Sequence, residues 1–387
     1  MSRKIFPLFL VFFVMGFGDA VGPLVGFVTK EYGLTRGLAG LLPFSGYIAY
    51  GLFSIPISLV ADARGKKWVL VVFLGVAIIG EIIALLGVSN YGYVIGAIFL
   101  IGVGITGVQV AGNPAMRLVS KPGRYSRNLN FAQFIKGIGG NTGPFLLPLI
   151  VYLGFRWHVL FGIYAVIMMM TLISLISFNL DEGEDEQGVK TANFRSSIAL
   201  LRNRAVFPMV TGIFLSVAAG AGLNSWIATY LEVQFGLDIA GKATLGLGMF
   251  TLSGTLGLLV GTLILHYLRA TRFFLLCSLI GVGGVFGFLS GNMVLVLISI
   301  VFLGFATGNL FPVIFSLLVD AMPERDNELS GLMVMAIVGA AIGPGIMGVL
   351  GDHSIRLAFV FPLVIFVYLT FLAVKTVRDP EATETNS

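Results

Sequence analysis

Charge is the first thing this chain has little of: Asp, Glu, Lys and Arg supply 11% of its 387 residues, less than half the roughly 25% of an ordinary soluble domain. Apolar residues supply 57%, with 33 Phe and a mean hydropathy of +0.97. So few charges cannot dilute that much apolar surface in water, which excludes a soluble globule and makes the lipid bilayer the solvent. Cysteine is reduced to Cys277, which excludes a disulfide framework and a cysteine zinc site. Three histidines leave little material for a histidine metal cluster, and no cofactor is expected. There is no phosphate-cradling glycine loop and no nucleophile set beside a base, and the polar segments are too short for a catalytic domain. An enzyme is therefore not expected. The net charge of +5 is scattered over short loops, a topology signal and not a nucleic-acid patch.

Long apolar runs are what the chain does have. A span needs about 20 apolar residues, and the sequence reads as twelve, near 5–28, 40–61, 68–88, 92–116, 129–152, 158–179, 206–230, 244–266, 272–289, 293–319, 329–350 and 357–375. The first run follows Arg3 and Lys4 but continues too far for a signal peptide and should remain attached. Eighteen Lys and Arg fall in one alternate set of segments and five in the other, with Lys136 inside a span. Both termini are therefore expected in the cytoplasm of a multi-pass protein of the inner membrane. The polar stretch 181–204 opens with Asp181, Glu182, Glu184, Asp185 and Glu186 and then turns basic. It divides the chain into a six-helix half over 1–180, a cytoplasmic linker over 181–204, a second six-helix half over 205–376 and a cytoplasmic tail over 377–387. A monomer is the default expectation.

The halves repeat each other. Gly112-Asn113-Pro114 is followed by Gly139-Gly140-Asn141-Thr142-Gly143-Pro144, and Gly308-Asn309 by Gly339-Ala340-Ala341-Ile342-Gly343-Pro344. Similar offsets match spans four and five with ten and eleven in the same orientation, which gives two parallel halves. That is the plan of the major facilitator superfamily, in which substrate binds between halves related by an axis along the membrane normal. The segment from Ser58 to Lys67 also resembles that superfamily's Gly-x-x-x-Asp-x-x-Gly-Arg/Lys-Arg/Lys inner loop, with Ser58 in place of the leading Gly. Asp62, Arg64, Gly65 and Lys66 are its candidate gating residues: the carboxylate pairs near a facing helix end and the glycine permits the tight turn. A purely topogenic basic loop is the alternative. The matching loop of the second half has His266 where the Asp would stand.

Ionisable residues inside a span cost roughly 2.5–3.5 kcal/mol on insertion scales, which marks them as functional candidates. Asp19, Glu81 and Lys136 lie well inside. Asp19 stands among Gly16, Gly18 and Gly22-Pro23, which favour close helix approach or an unwound segment. It is the candidate for proton coupling, against the alternative of an ion pair that only locks helices. Lys136 neutralises Asp19, meets an anionic substrate, or snorkels inward. Glu81 reads more as a buried structural acid. Amides and aromatics complete a candidate substrate set: Gln109 and Asn113 on one face of span four, Asn130, Gln133 and Asn141 on span five, Asn224, Trp226 and Tyr230 along span seven, and Asn309 on span ten. Amides suit hydroxyls and an indole or phenol face suits a sugar ring, while any single intramembrane amide also serves as glue between helices.

Several of these segments resemble the L-fucose/proton symporter family: Gly16-Phe17-Gly18-Asp19, Gln109-Val110-Ala111-Gly112-Asn113-Pro114, Arg127-Asn128-Leu129-Asn130-Phe131-Ala132-Gln133, Gly220-Ala221 with Trp226, and Phe311 to Leu317. The resemblance implies import of fucose, glucose, galactose or N-acetylglucosamine, with an acid in span one for proton coupling and a Glu in span four for sugar recognition. Asp19 stands at the first position and Gln109 at the second. An amide holds a hydroxyl but carries no proton, so coupling falls on Asp19, with Lys136 as a charge partner that the family pattern does not contain. The expected function is a secondary transporter that imports a sugar or related small polar solute by alternating access, driven by protons, or by sodium in their place. The alternative within the superfamily is a carrier of an organic anion or sugar acid, or a drug exporter, with Lys136 on the negative group. A solute receptor that does not transport is the alternative of a different class.

Overall fold

In hydrocarbon every backbone N–H and C=O has to be satisfied within the protein, which leaves a chain this apolar little choice but helices. The computed structural model describes residues 6–86, 90–177, 180, 193–237 and 244–378, and among them there is no strand. Half of the linker, 181–192, and the tail from 379 onward lie outside the described residues, as does Arg3-Lys4. In chain order the helices are α1 (Phe6–Met15), α2 (Val21–Tyr32), α3 (Arg36–Arg64), α4 (Lys66–Leu86), α5 (Tyr91–Leu118), α6 (Tyr125–Tyr152), α7 (Val159–Ile176) and α8 (Phe194–Leu200). They continue with α9 (Val206–Phe235), α10 (Thr244–Ile264), α11 (Ala270–Leu289), α12 (Met293–Ala321), α13 (Asp326–Met335), α14 (Gly339–His353), α15 (Ile355–Ala358) and α16 (Val360–Arg378). Three-residue-per-turn segments join α1 to α2 (Gly16–Ala20), precede α13 (Pro323–Arg325) and join α13 to α14 (Ala336–Val338).

Eleven of the resulting segments are long and apolar enough to span a bilayer. The bent pair Phe6–Asp19 and Leu24–Tyr32, meeting at 41°, brings the number to twelve. The chain packs as two units. Unit 1 holds Met1–Lys121, Ile135–Ile198 and Asp326–Met335, and unit 2 holds Pro122–Phe134, Ala199–Arg325 and Ala336–Ser387. Each sequence half thus lends a short segment to the other unit. The first turns of α6 pack with α10 and α12 (Asn130 reaches Leu258 and Asn309), and α13 packs with α3 and α5.

In unit 1, α5 forms the centre, unbroken in burial from Ile101 to Met116. Small residues make that possible. A Cβ at Gly102 would press on the Gly46 carbonyl of α3, and one at Gly104 on the Ala77 backbone of α4. In unit 2, α12 plays the same part against α10, with Gly308 set against the Gly254 carbonyl. The repeat reaches the caps: Asn90 accepts from the Gly92 amide at the start of α5, and Asn292 from the Val294 and Leu295 amides at the start of α12. Outward surfaces are apolar, with Leu52, Ile79, Val166, Met170, Leu263, Phe286, Val364 and Phe371 all exposed, as a lipid-facing surface requires. Cys277 is fully buried on α11.

Candidate substrate and proton site

The first span stops being α-helical at Gly16. From there to Ala20 the chain winds more tightly, at a point where its backbone crosses that of α6. A side chain at Gly16 would collide with the Lys136 carbonyl and the Gly140 nitrogen of α6, and one at Gly139 would collide with the Phe13 carbonyl. Only glycine on both sides lets the two backbones meet. The crossing sets Asp19 against α6: a Cβ at Gly140 would lie 3.4 Å from the Asp19 Cβ.

Asp19 Oδ2 is 3.6 Å from Lys136 Nζ, with the aspartate side chain 44% exposed and the lysine 16%. Lys136 Nζ also donates to Gln109 Oε1 at 3.4 Å, and Gln109 is buried on α5 with Asn113 one turn further on. Tyr47 and Tyr50 of α3, which the sequence did not single out, lie within electrostatic reach of Asp19. Asn141, on the same helix as Lys136, spends its amide on the Gly137 carbonyl at 2.7 Å. Unit 1 therefore brings a carboxylate, an ammonium and the buried Gln109 amide together at the break in the first span, with two phenols as electrostatic neighbours. Glu81 of α4 is also fully buried. Its Oε2 makes no hydrogen bond among the described residues, and Tyr164, stacked on Phe17 at 3.9 Å between ring centres, is an electrostatic neighbour.

The candidates of unit 2 are placed differently. Asn130 and Asn309 hydrogen-bond each other. Asn130 also donates to the Leu258 carbonyl, and Asn309 to the carbonyls of Gly257 and Phe305. Gly261 makes the room, since a Cβ there would strike both amides. Gln133 is buried one turn along α6. On α9, Asn224 is exposed, Trp226 donates to the Pro344 carbonyl at 3.0 Å, and Tyr230 donates to the Phe288 carbonyl at 2.6 Å inside a cluster with Phe288 and Phe359.

At the loop between α3 and α4, Gly65 has φ of +83°, which admits the turn. Asp62 faces the Asn327 amide at 3.5 Å, Arg64 lies over the Trp68 ring at 5.0 Å, and Lys66 pairs with Asp326 at 3.3 Å, both about a tenth exposed. The corresponding loop of unit 2 places His266 against Arg127 at 2.9 Å. Asp326, Asn327 and Glu328, which receives Ser196 at 2.7 Å, had no sequence signal beyond being charged or polar in a short loop.

Comparison with known sequences decides the family. The sequence model of the Major Facilitator Superfamily matches residues 8–336 and 270–387. The chain belongs to that superfamily. A putative glucose/galactose transporter of Helicobacter pylori (strain J99 / ATCC 700824) is 26% identical over 403 residues, 96% of each chain. A glucose/galactose transporter of Brucella abortus is 23% identical, covering 94% of this chain and 92% of its own. An L-fucose-proton symporter of Haemophilus influenzae is 21% identical, covering 95% and 96%. Among solved structures, the E. coli fucose:proton symporter superposes with a TM-score of 0.84 at 19% identity, over 97% of this chain and 99% of that one, which establishes a shared fold.

Within a superfamily protein built from a repeat, unit 2 serves as an internal control for the ion pair. Gly339 sets α14 on the Phe214 carbonyl of α9 just as Gly139 sets α6 on the Phe13 carbonyl. Counted from these contacts, Gly220 stands where unit 1 has Asp19, and Ala336 where it has Lys136. The crossing thus forms in unit 2 without the charges, and the Asp19–Lys136 pair is not what the crossing needs in order to pack.

Proposed function

We propose that this superfamily transporter imports a sugar or a closely related polar solute across the inner membrane together with protons, by alternating access, as a monomer with both termini in the cytoplasm. The names of the full-length relatives support sugar as the solute class. The observation that carries the mechanism is Asp19: a carboxylate at a break in an apolar span, partly open, 3.6 Å from one ammonium. Ionised, it is held by Lys136. Protonated, the carboxyl itself becomes cheap to enclose in a low-dielectric interior and releases Lys136 to another partner. A state that is loaded and protonated can then interconvert, whereas one carrying solute over an ionised Asp19 cannot. The buried amides of Gln109 and Asn113, on the next helix, offer both donors and acceptors to hydroxyls.

The test is Asp19→Asn in proteoliposomes. This variant is expected to keep solute counterflow, which needs no driving ion, and to lose accumulation when a pH gradient is imposed. Accumulation that persists in the variant excludes Asp19 as the proton site, and accumulation driven by a sodium gradient at equal pH changes the coupling ion.

A further inference from the structure

The charge balance at the break in the first span selects among sugars. Asp19 and Lys136 sum to zero as they stand, and the Gln109 oxygen that also meets the ammonium carries no net charge. If a neutral sugar binds and Asp19 takes up a proton, Lys136 is left as an unpaired ammonium, only 16% exposed, and such an uncompensated buried charge is costly. A carboxylate on the solute removes the difficulty. It replaces Asp19 as the partner of Lys136, and the freed Asp19 takes the proton. The site then holds zero net charge both before and after loading.

Resting on the reading of proton-coupled sugar import, the geometry points to a sugar acid, a hexuronate or aldonate, as the solute, with its carboxylate on Lys136 and its hydroxyls on the amides of α5. Other titratable groups face Asp19 as well. Tyr47 and Tyr50 of α3 are its electrostatic neighbours, and a phenol adds no charge to that count. The pair is also spare in structural terms, because the equivalent crossing in unit 2 has Gly220 and Ala336 in its place. A cationic solute is disfavoured by the same ammonium.

The experiment uses proteoliposomes of the full chain, with D-galacturonate, D-glucuronate and D-gluconate set against D-galactose and D-glucose. Saturable counterflow is expected for an acid, with the neutral sugars at least tenfold weaker. An inward pH gradient should drive uptake, and a valinomycin–potassium potential should leave the rate unchanged, since one proton and one carboxylate enter together. Lys136→Gln should weaken binding of the acid at least tenfold, and Lys136→Arg, which keeps the charge, should restore most of it. A rise in melting temperature with the acid in wild type but not in Lys136→Gln reads the same contact without transport. If neutral sugars saturate, are driven by a pH gradient and speed up with an inside-negative potential while the acids neither enter nor compete, the sugar-acid assignment is overturned and sugar–proton import stands. If no sugar or sugar acid is carried, both are overturned.

Discussion

The side chains inside the membrane sort by what else holds them. The Asn130 amide nitrogen is spent on the Asn309 side-chain oxygen and a carbonyl of α10, and the Asn309 nitrogen on carbonyls of α10 and α12, whereas Asp19 has one long contact and an open face. Interhelical amide bonds of this kind are worth about 1 kcal/mol. Asn309→Leu should therefore lower the melting temperature of the detergent-solubilised protein by a few degrees, and Asn130→Leu added to it should cost less than a second such change, because the first already stranded the partner. Asp19→Asn should abolish pH-driven uptake and lower the melting temperature by stranding Lys136, and Asp19→Asn with Lys136→Gln should recover the melting temperature but not the coupling. Asp19 and Lys136 stand out in the sequence because a charge inside an apolar run is costly, and the coordinates show that they pair. Tyr47 and Tyr50 do not, because an aromatic in a span is ordinary. The ring faces of Trp226 and Tyr230 read as sugar-facing from residue type alone, and only coordinates reveal that their N–H and O–H donate to the carbonyls of Pro344 and Phe288.

Glycine governs the elements. Gly139 and Gly339 meet carbonyls on the first helix of their own units, so Gly139→Ala and Gly339→Ala should each cost about 1–3 kcal/mol through overpacking. Gly75→Ala, with nothing within 4 Å of the new Cβ, should be neutral to slightly stabilising. Melting curves of the three variants check this, and a Gly139→Ala protein as stable as Gly75→Ala would contradict the crossing. The two units solve the same contact with the break in different helices. Unit 1 rewinds the first span at Gly16–Ala20, while α9 runs straight through and unit 2 rewinds instead at Ala336–Val338. The glycine repeat at 139–144 and 339–344 was plain in the sequence. The position of each break was not, since it depends on which of two backbones yields at a contact between residues far apart in the chain.

For the whole molecule, twelve spans followed from hydropathy alone, because a bilayer leaves few other ways to bury 57% apolar residues. The exchange of Pro122–Phe134 and Asp326–Met335 between units did not, since it rests on tertiary packing and not on composition. In unit 1 that exchange brings Asp326 to Lys66, where both are about a tenth exposed. Lys66→Ala leaves Asp326 poorly compensated and should cost a few kcal/mol. The exchanged pair Lys66→Asp with Asp326→Lys should regain part of the loss, as measured by melting temperature and by uptake rate.

Cys277 has a practical consequence. Its thiol is sealed inside α11, so water-soluble maleimides should leave the folded protein unlabelled. Cysteines introduced one at a time, in place of Ser120 or Ser290 for instance, can then be labelled from either side of sealed vesicles over a silent background, with no prior removal of the native thiol. The same reagent, applied to a cysteine at position 47 with and without galacturonate, reports whether occupancy shields the region around Asp19 from the aqueous phase.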